Sequence, residues 1–279
     1  MFSELPNLSE PKTIRDYKRG QLMLGFLKHE VRKSRNFRLL DLGAGEGGIT
    51  IALSEWADSL CALDKDAENA KACGRAISAV DGRLNVDCLR GLGEALPFRD
   101  ESFDLVVLNG VLEWIGSIAN DPYKVQRIAI GEIARVLRPA GYLYTAIENR
   151  LFPGFLILDP HTHYLLANAM PRGLARLLSK LTKRPPFGNF IYSYWGLRKM
   201  LTASFSKIRF YLPLPHYHIP IRMIPLDSSR AVRAAAKSLL DSVELPARLR
   251  LTLAYDRLTA RWGLSRIASP YFVVLAQKE

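Results

Sequence analysis

Residues 38–48 read Arg38-Leu39-Leu40-Asp41-Leu42-Gly43-Ala44-Gly45-Glu46-Gly47-Gly48. A short apolar run broken by a single aspartate stops at a glycine-rich stretch, and Ile49 to Trp56 then resumes an apolar helical pattern. The spacing predicts a strand, a tight loop and a helix. Glycine serves such a loop in two ways. It reaches positive φ without a Cβ clash, and it lets a ligand approach main-chain atoms, while the helix that follows offers free N–H groups.

The pattern repeats outward from this unit. Upstream, Leu22, Leu24, Phe26, Leu27 and Val31 fall at surface-helix spacing within Tyr17 to Lys33. Downstream, a strand Leu60 to Leu63 ends in Asp64, a helix covers Ala67 to Val80, and a third strand lies near Leu84 to Leu89. Phe103 to Leu108 is a nearly continuous apolar run, the mark of a parallel strand buried on both faces. Val125 to Leu137 reads as a helix, Pro139-Ala140-Gly141 as a turn, and Tyr142 to Ile147 as a fifth strand. Such alternation predicts an α/β fold, a Rossmann-like doubly wound sheet.

After Arg150 the alternation stops. The expected organisation is a cofactor-binding core over 1–150 and an inserted lid over 151–190, rich in proline, aromatic and basic residues. The core returns over 191–213 with a helix Tyr194 to Ser204 and a strand Lys207 to Leu212. A second, largely helical insertion over 214–268 and a closing segment 269–279, with a strand Tyr271 to Ala276, complete a seven-stranded sheet.

Composition bounds the setting. The chain has 279 residues, 48% apolar and 24% charged, with a net charge of +12. Residues 1–150 carry 20 Lys+Arg against 21 Asp+Glu, and residues 151–279 carry 19 against 6, so the whole excess sits in the second part. Its expected partner is acidic: a phosphorylated or lipid-linked acceptor, an anionic membrane surface or nucleic acid. Cys61, Cys73 and Cys88 form no CxxC pair, which fits a reducing, cytoplasmic protein with neither disulfide frame nor zinc site. No secretory signal opens the sequence, and no window approaches the roughly 20 apolar residues of a membrane span.

Asp64 lies 21 residues beyond Gly43, at the end of the second strand, where a carboxylate can accept hydrogen bonds from both hydroxyls of a ribose. The loop by itself leaves a nicotinamide enzyme open, because Gly43, Gly45 and Gly48 also satisfy GxGxxG. Three further features separate the readings. Asp41 stands two residues before the first glycine, the run Gly93-Glu94-Ala95-Leu96-Pro97-Phe98-Arg99-Asp100-Glu101-Ser102-Phe103-Asp104 leads into the fourth strand, and Ile133-Ala134-Arg135-Val136-Leu137-Arg138-Pro139-Ala140-Gly141 leads into the fifth. As a set, over residues 38–148, they resemble the class I S-adenosylmethionine-dependent methyltransferase superfamily, particularly its small-molecule branch.

The resemblance implies S-adenosyl-L-methionine as cofactor. It implies that Gly43, Ala44 and Gly45 back this molecule, that Asp41 orients the loop and reaches the methionine amino group, and that Asp64, with Lys65 beside it, holds the ribose. Gly93 and Glu94 would lie near the adenine, and Asn109 and Gly110 would flank the sulfonium. Two positions depart from the pattern: Leu92 stands where the family commonly has an aspartate for the adenine amino group, and Ala140 replaces a turn glycine.

For the acceptor, Leu108-Asn109-Gly110-Val111-Leu112-Glu113-Trp114, Ile147-Glu148-Asn149-Arg150 and Asp159-Pro160-His161-Thr162 resemble polysaccharide and sugar-tailoring methyltransferases. This implies O-methylation of a sugar or of a lipid-linked or phosphorylated glycan. A membrane-associated methyltransferase of a quinone or lipid and an RNA methyltransferase are the alternatives. Against nucleic acid, the Asn/Asp-Pro-Pro-aromatic motif of amino-base enzymes is absent after the fourth strand, and none of the three cysteines is placed for nucleophilic attack. Proton removal falls to Glu148, at the carboxyl end of the fifth strand where open α/β sheets bind ligands, and to His161 or His163 in the lid. A second pair, His216 and His218, lies in the later insertion, and no metal is expected from either pair. Pro171 to Arg184, Ser228 to Val243 and Ala247 to Trp262 share a basic amphipathic character, which suits a protein peripheral to a membrane.

Overall fold

The computed structural model describes residues 8, 10–80, 84–157, 168–170, 173, 174, 177, 181 and 189–279. In chain order the elements are α1 (Pro11–Glu30), β1 (Arg38–Leu42), α2 (Gly48–Ser54), β2 (Ser59–Asp64), α3 (Ala67–Ala79), β3 (Val86–Arg90), β4 (Phe103–Asn109), a 3-10 turn (Leu112–Trp114), α4 (Pro122–Val136) and β5 (Leu137–Glu148). There follow α5 (Pro153–Ile157), α6 (Tyr194–Leu201), β6 (Lys207–His216), β7 (Ile219–Pro225), α7 (Ser229–Ser242), α8 (Ala247–Arg261), α9 (Ser265–Ala268) and β8 (Tyr271–Gln277).

The strands form one sheet in the order β3-β2-β1-β4-β5-β8-β6-β7. β1 to β5 pair in parallel, whereas β8 runs antiparallel to both β5 and β6, and β7 antiparallel to β6. The sheet thus has eight strands, not the seven expected. The extra one, β7, lies in the stretch read as helical insertion. Its prolines, Pro220 and Pro225, obscure a strand in the sequence but are tolerated at a sheet edge, where β7 sits.

Alternation along each strand feeds two cores. Leu40, Leu42, Val106, Leu108 and Leu143 face a cluster that includes Ile130 and Ile133 of α4 and Leu197 of α6. Leu39, Leu105, Val107 and Tyr144 face Met23, Leu24 and Leu27 of α1 with Ile49 and Leu53 of α2. Both faces being covered explains the unbroken apolar runs.

The residues that carried the family resemblance hold this frame together. Asp104 accepts hydrogen bonds from Ser34 Oγ at 2.7 Å and the Arg38 N–H at 2.8 Å, and pairs with Arg138 at 3.1 Å, tying β4 to the ends of β1 and β5. Arg135 donates to the carbonyls of Leu96 and Phe98 and pairs with Asp100 and Glu132, fixing the loop that enters β4. α1 packs closely on α2. A Cβ at Gly48 would stand 2.4 Å from the Thr13 carbonyl oxygen, so this glycine serves helix contact as well as loop geometry. Among the described residues, no helix is long and apolar enough to cross a membrane.

Candidate active site

The order of the sheet reverses between β1 and β4, and at such a switch point the carboxyl ends of the strands open a crevice. The glycine loop fills one side of it. Gly43 and Ala44 donate to the Leu63 carbonyl at 2.7 and 3.2 Å, which binds the loop to the end of β2. Gly43 has φ +80°, and a Cβ there would lie 2.4 Å from Val111 Cγ2, so only glycine fits. Gly45 also has positive φ, but a Cβ on it would meet nothing within 4 Å; its outer face is open.

Asp64 is buried and oriented by its surroundings. Its Oδ2 accepts the Gly45 N–H at 2.9 Å, while Oδ1 accepts the Asp66 N–H at 2.9 Å and Asn69 Nδ2 at 3.4 Å. It opens on a cavity of about 350 Å³. Of the residues expected at the cofactor, Gly43, Asp64, Lys65, Gly93 and Glu94 line this cavity. Its remaining wall is largely apolar, with Leu63, Leu92, Val111 and Ile115, so the departure at Leu92 adds to the apolar lining rather than supplying a polar group.

Asp41 stands behind the loop, outside the cavity wall. It accepts from Thr50 Oγ1 at 2.7 Å, and burial pushes its carboxyl up to about 6, with the Thr50 hydrogen bond opposing and the charge of Asp64 assisting. Ala44 packs against the core on the α1 side, likewise away from the cavity wall. Asn109 and Gly110 close β4. The Asn109 Nδ2 is buried without a partner among the described residues, and Gly110 takes φ +68° as its N–H bonds the Ala146 carbonyl at 2.9 Å.

From Gly110 the crevice continues into a second group of side chains. A Cβ on Gly110 would lie 3.7 Å from Glu113 Oε1 and 3.8 Å from the Tyr217 ring. Glu113 and Glu148 are both buried, at 1% and 4% exposure, and lie close enough for Glu148 to act on the Glu113 carboxyl. Burial first, and the facing Glu148 second, push Glu113 well above the usual carboxylate range, which favours its protonated form. Tyr217 and Tyr271 face this pair and are pushed up by burial and by the charge of Glu148. Arg19 of α1 lies 5.9 Å over the Tyr217 ring and bonds His218 Nδ1 at 2.8 Å.

The hairpin of β6 and β7 brings His216 and His218 here, which the sequence left in an insertion. His216 Nδ1 accepts the His218 N–H at 3.1 Å, so the neutral ring carries its proton on Nε2 and donates to Tyr271 Oη at 2.7 Å. Burial lowers His216 to about 4, with Arg248 next in effect, and lowers His218 to about 3, with Arg19 next. Both rings are neutral at neutral pH. With both nitrogens engaged, His216 positions Tyr271 and is not a free base.

His161 and His163 lie outside the described residues, as do Asp159 and most of 171–184. Of the three candidate bases, the structure therefore brings Glu148 into the crevice and pairs it with Glu113. Glu113 escaped the sequence reading although it is the lone carboxylate in the apolar run 111–115, a signal that a buried charge with a purpose leaves.

Residues 40–145 match the family described as Methyltransferase domain. With the switch-point loop, this segment is a methyltransferase domain of the class I S-adenosylmethionine-dependent superfamily, and S-adenosylmethionine is its cofactor. The chain is similar to an uncharacterized methyltransferase, YcgJ, of Bacillus subtilis (strain 168), 28% identical over 51% of this chain and 52% of the relative. It is similar also to a ubiquinone biosynthesis O-methyltransferase of Parvibaculum lavamentivorans, 26% identical over 51% and 52%. The chain thus spans about half the length of these curated relatives. In fold it is similar to the crystal structure of a putative sarcosine dimethylglycine methyltransferase from Galdieria sulphuraria, with a TM-score of 0.54 and 17% identity, over 98% of this chain and 92% of that one.

Proposed function

We propose that the chain methylates a hydroxyl oxygen of a sugar or of a lipid-linked or phosphorylated glycan, with Glu148 taking up the hydroxyl proton. The observation that carries this reading is the buried Glu113–Glu148 pair, one step beyond Gly110 from the loop that ends β4. The cavity and loop fit the cofactor: a carboxylate with fixed orientation, a slot with apolar walls, an open face at Gly45 and an unpartnered amide at Asn109.

When bound, S-adenosylmethionine supplies an electrophilic methyl group on a sulfonium. Asp64 is the group to hold the ribose hydroxyls, since Gly45, Asp66 and Asn69 already fix its oxygens. Gly43, Ala44 and Gly45 back the methionyl part, with Asp41 bracing the loop through Thr50. Lys65, Gly93, Glu94 and Leu92 border the base, and Asn109 and Gly110 flank the reacting end.

With burial favouring the protonated form of Glu113, Glu148 is the member of the pair assigned to proton uptake. As the acceptor oxygen gains the methyl group, its own proton passes to Glu148. Holding the oxygen in line contributes most of the acceleration, and the base adds about 10²- to 10⁴-fold. The charge excess of 151–279, with 19 Lys+Arg against 6 Asp+Glu, supports an acidic acceptor. A hydrophobic acceptor such as a quinone or lipid is the second reading, favoured by the ubiquinone-pathway relative.

The test is mass spectrometry of a panel of glycans, lipid-linked glycans and quinols incubated with protein and cofactor, read as the gain of one methyl group. Glu148→Gln is expected to lower turnover about 10²- to 10⁴-fold while cofactor affinity stays unchanged. Full turnover by this variant removes Glu148 from the chemistry, and methylation of nitrogen alone overturns the O-methyl reading.

A further inference from the structure

Helix α8 sets a basic and an apolar residue side by side three times, as Arg250-Leu251, Arg257-Leu258 and Arg261-Trp262. Steps of seven and four residues return to one face of a helix, so the three arginines form one row and the three apolar side chains a parallel row. Both rows face outward. Leu251, Leu258 and Trp262 are 71%, 58% and 70% exposed, whereas the inner side of α8 is made by Leu253, Asp256, Thr259 and Ala260. Leu264 and Ile267, just beyond the helix, extend the exposed apolar surface.

The arginine row has little to neutralise it. The only carboxylate in α8, Asp256, is buried on the opposite side. Asp241 lies near Arg250 and Arg257 but is paired with Lys237 at 2.9 Å. Among the described residues no salt bridge engages Arg250, Arg257 or Arg261.

Three kinds of partner compete for such a face, and charge with apolarity selects one. A second copy of the chain would set like rows of arginine against each other. Single-stranded nucleic acid would use the arginines and Trp262 but leave the leucines in water. An anionic bilayer uses everything present: apolar side chains enter the boundary of headgroups and acyl chains, arginines meet lipid phosphates, and tryptophan suits the headgroup level. The first turn of the same helix also reaches the crevice. Arg248, in the first turn of α8, is close enough to His216 and Tyr271 for its charge to act on both.

We propose that α8 docks the protein on an anionic lipid surface, with Leu251, Leu258 and Trp262 sunk at the interface and Arg250, Arg257 and Arg261 on lipid phosphates. This stands apart from the methyl-transfer chemistry, because its readout is binding. Exposed Leu174, Leu177 and Leu181, at helical spacing in the basic stretch 171–184, offer a second apolar row of the same type.

The test is sedimentation of the intact protein with vesicles of phosphatidylcholine alone and of phosphatidylcholine mixed with phosphatidylglycerol. The wild type is expected to sediment with the mixed vesicles only. Each arginine removed lowers partition about fivefold, so the triple variant Arg250→Gln, Arg257→Gln, Arg261→Gln loses on the order of a hundredfold. The triple variant Leu251→Ser, Leu258→Ser, Trp262→Ser also loses binding, and both keep wild-type cofactor affinity and melting temperature because all six side chains are exposed. No sedimentation of the wild type, or equal sedimentation of the variants, overturns the proposal. So does a dimer abolished by the apolar variant, or RNA binding abolished by the arginine variant, when vesicles are not bound.

Discussion

Gly43→Ala perturbs the loop at its tightest point, and the structure gives two separable costs. The residue has φ +80°, where an L side chain costs about 1–2 kcal/mol. The added Cβ would also stand 2.4 and 2.7 Å from the two methyls of Val111, well inside contact distance, and such overpacking typically costs about 1–3 kcal/mol. Together they lower stability by about 2–5 kcal/mol, on the order of 5–15 °C in melting temperature for a chain of this size. Val111→Ala removes the opposing methyls but leaves the backbone strain. The double variant is therefore expected to recover the packing share and retain a deficit of about 1–2 kcal/mol relative to Val111→Ala alone. Urea unfolding of the four proteins measures this cycle. Gly43→Ala as stable as the wild type, or a double variant with no recovery, refutes the assignment of this glycine to steric closure against Val111.

Asp256 is buried with Oδ1 unpartnered among the described residues, and desolvation raises its carboxyl from 3.8 to about 8. A raised folded value means stability that is complete below about pH 4 and declines as pH rises through 8; Asp256→Asn is expected to flatten this decline in urea midpoints taken from pH 5 to 9, and an unchanged slope contradicts the burial argument. Glu113 is raised in the same direction, so Glu113→Gln is expected to gain stability relative to the wild type on the alkaline side of the usual carboxylate range. Its turnover should stay far above that of Glu148→Gln, and equal losses in the two variants would show that the carboxyls act as one unit.

Strands β1, β2, β4 and β5 were legible because both faces of the parallel sheet are buried there, leaving apolar runs such as Phe103 to Leu108, whereas the edge strand β3 is half exposed. The glycine loop and Asp64 were legible because their spacing is local. β5 begins earlier than expected, at Leu137: the turn read at Pro139-Ala140-Gly141 is absorbed into the strand as an irregularity opposite Phe103 and Leu105, with Ala140 at φ +59°. β7 was hidden by its prolines, which signal loops in sequence but are admissible on an edge. The site beyond Gly110 was half legible. Glu148 follows from its place at a strand end, but its partner Glu113 stands 35 residues earlier, and the two meet only because β4 and β5 are neighbours. His216 reaches the crevice through a hairpin whose second strand the sequence did not disclose. Asp104, Arg135 and Arg138 carried family resemblance by their pattern, and their role in clamping loops to strands became visible only with the partners in place.

The most direct test is calorimetric titration of the intact protein with S-adenosylmethionine and with its demethylated product, repeated on Asp64→Ala. Charge-assisted hydrogen bonds of this kind contribute about 1.5–3 kcal/mol, so the substitution is expected to weaken binding at least about tenfold. Binding by the wild type with that loss in the variant places the ribose on Asp64. No binding by the wild type, or equal affinity in Asp64→Ala, contradicts it.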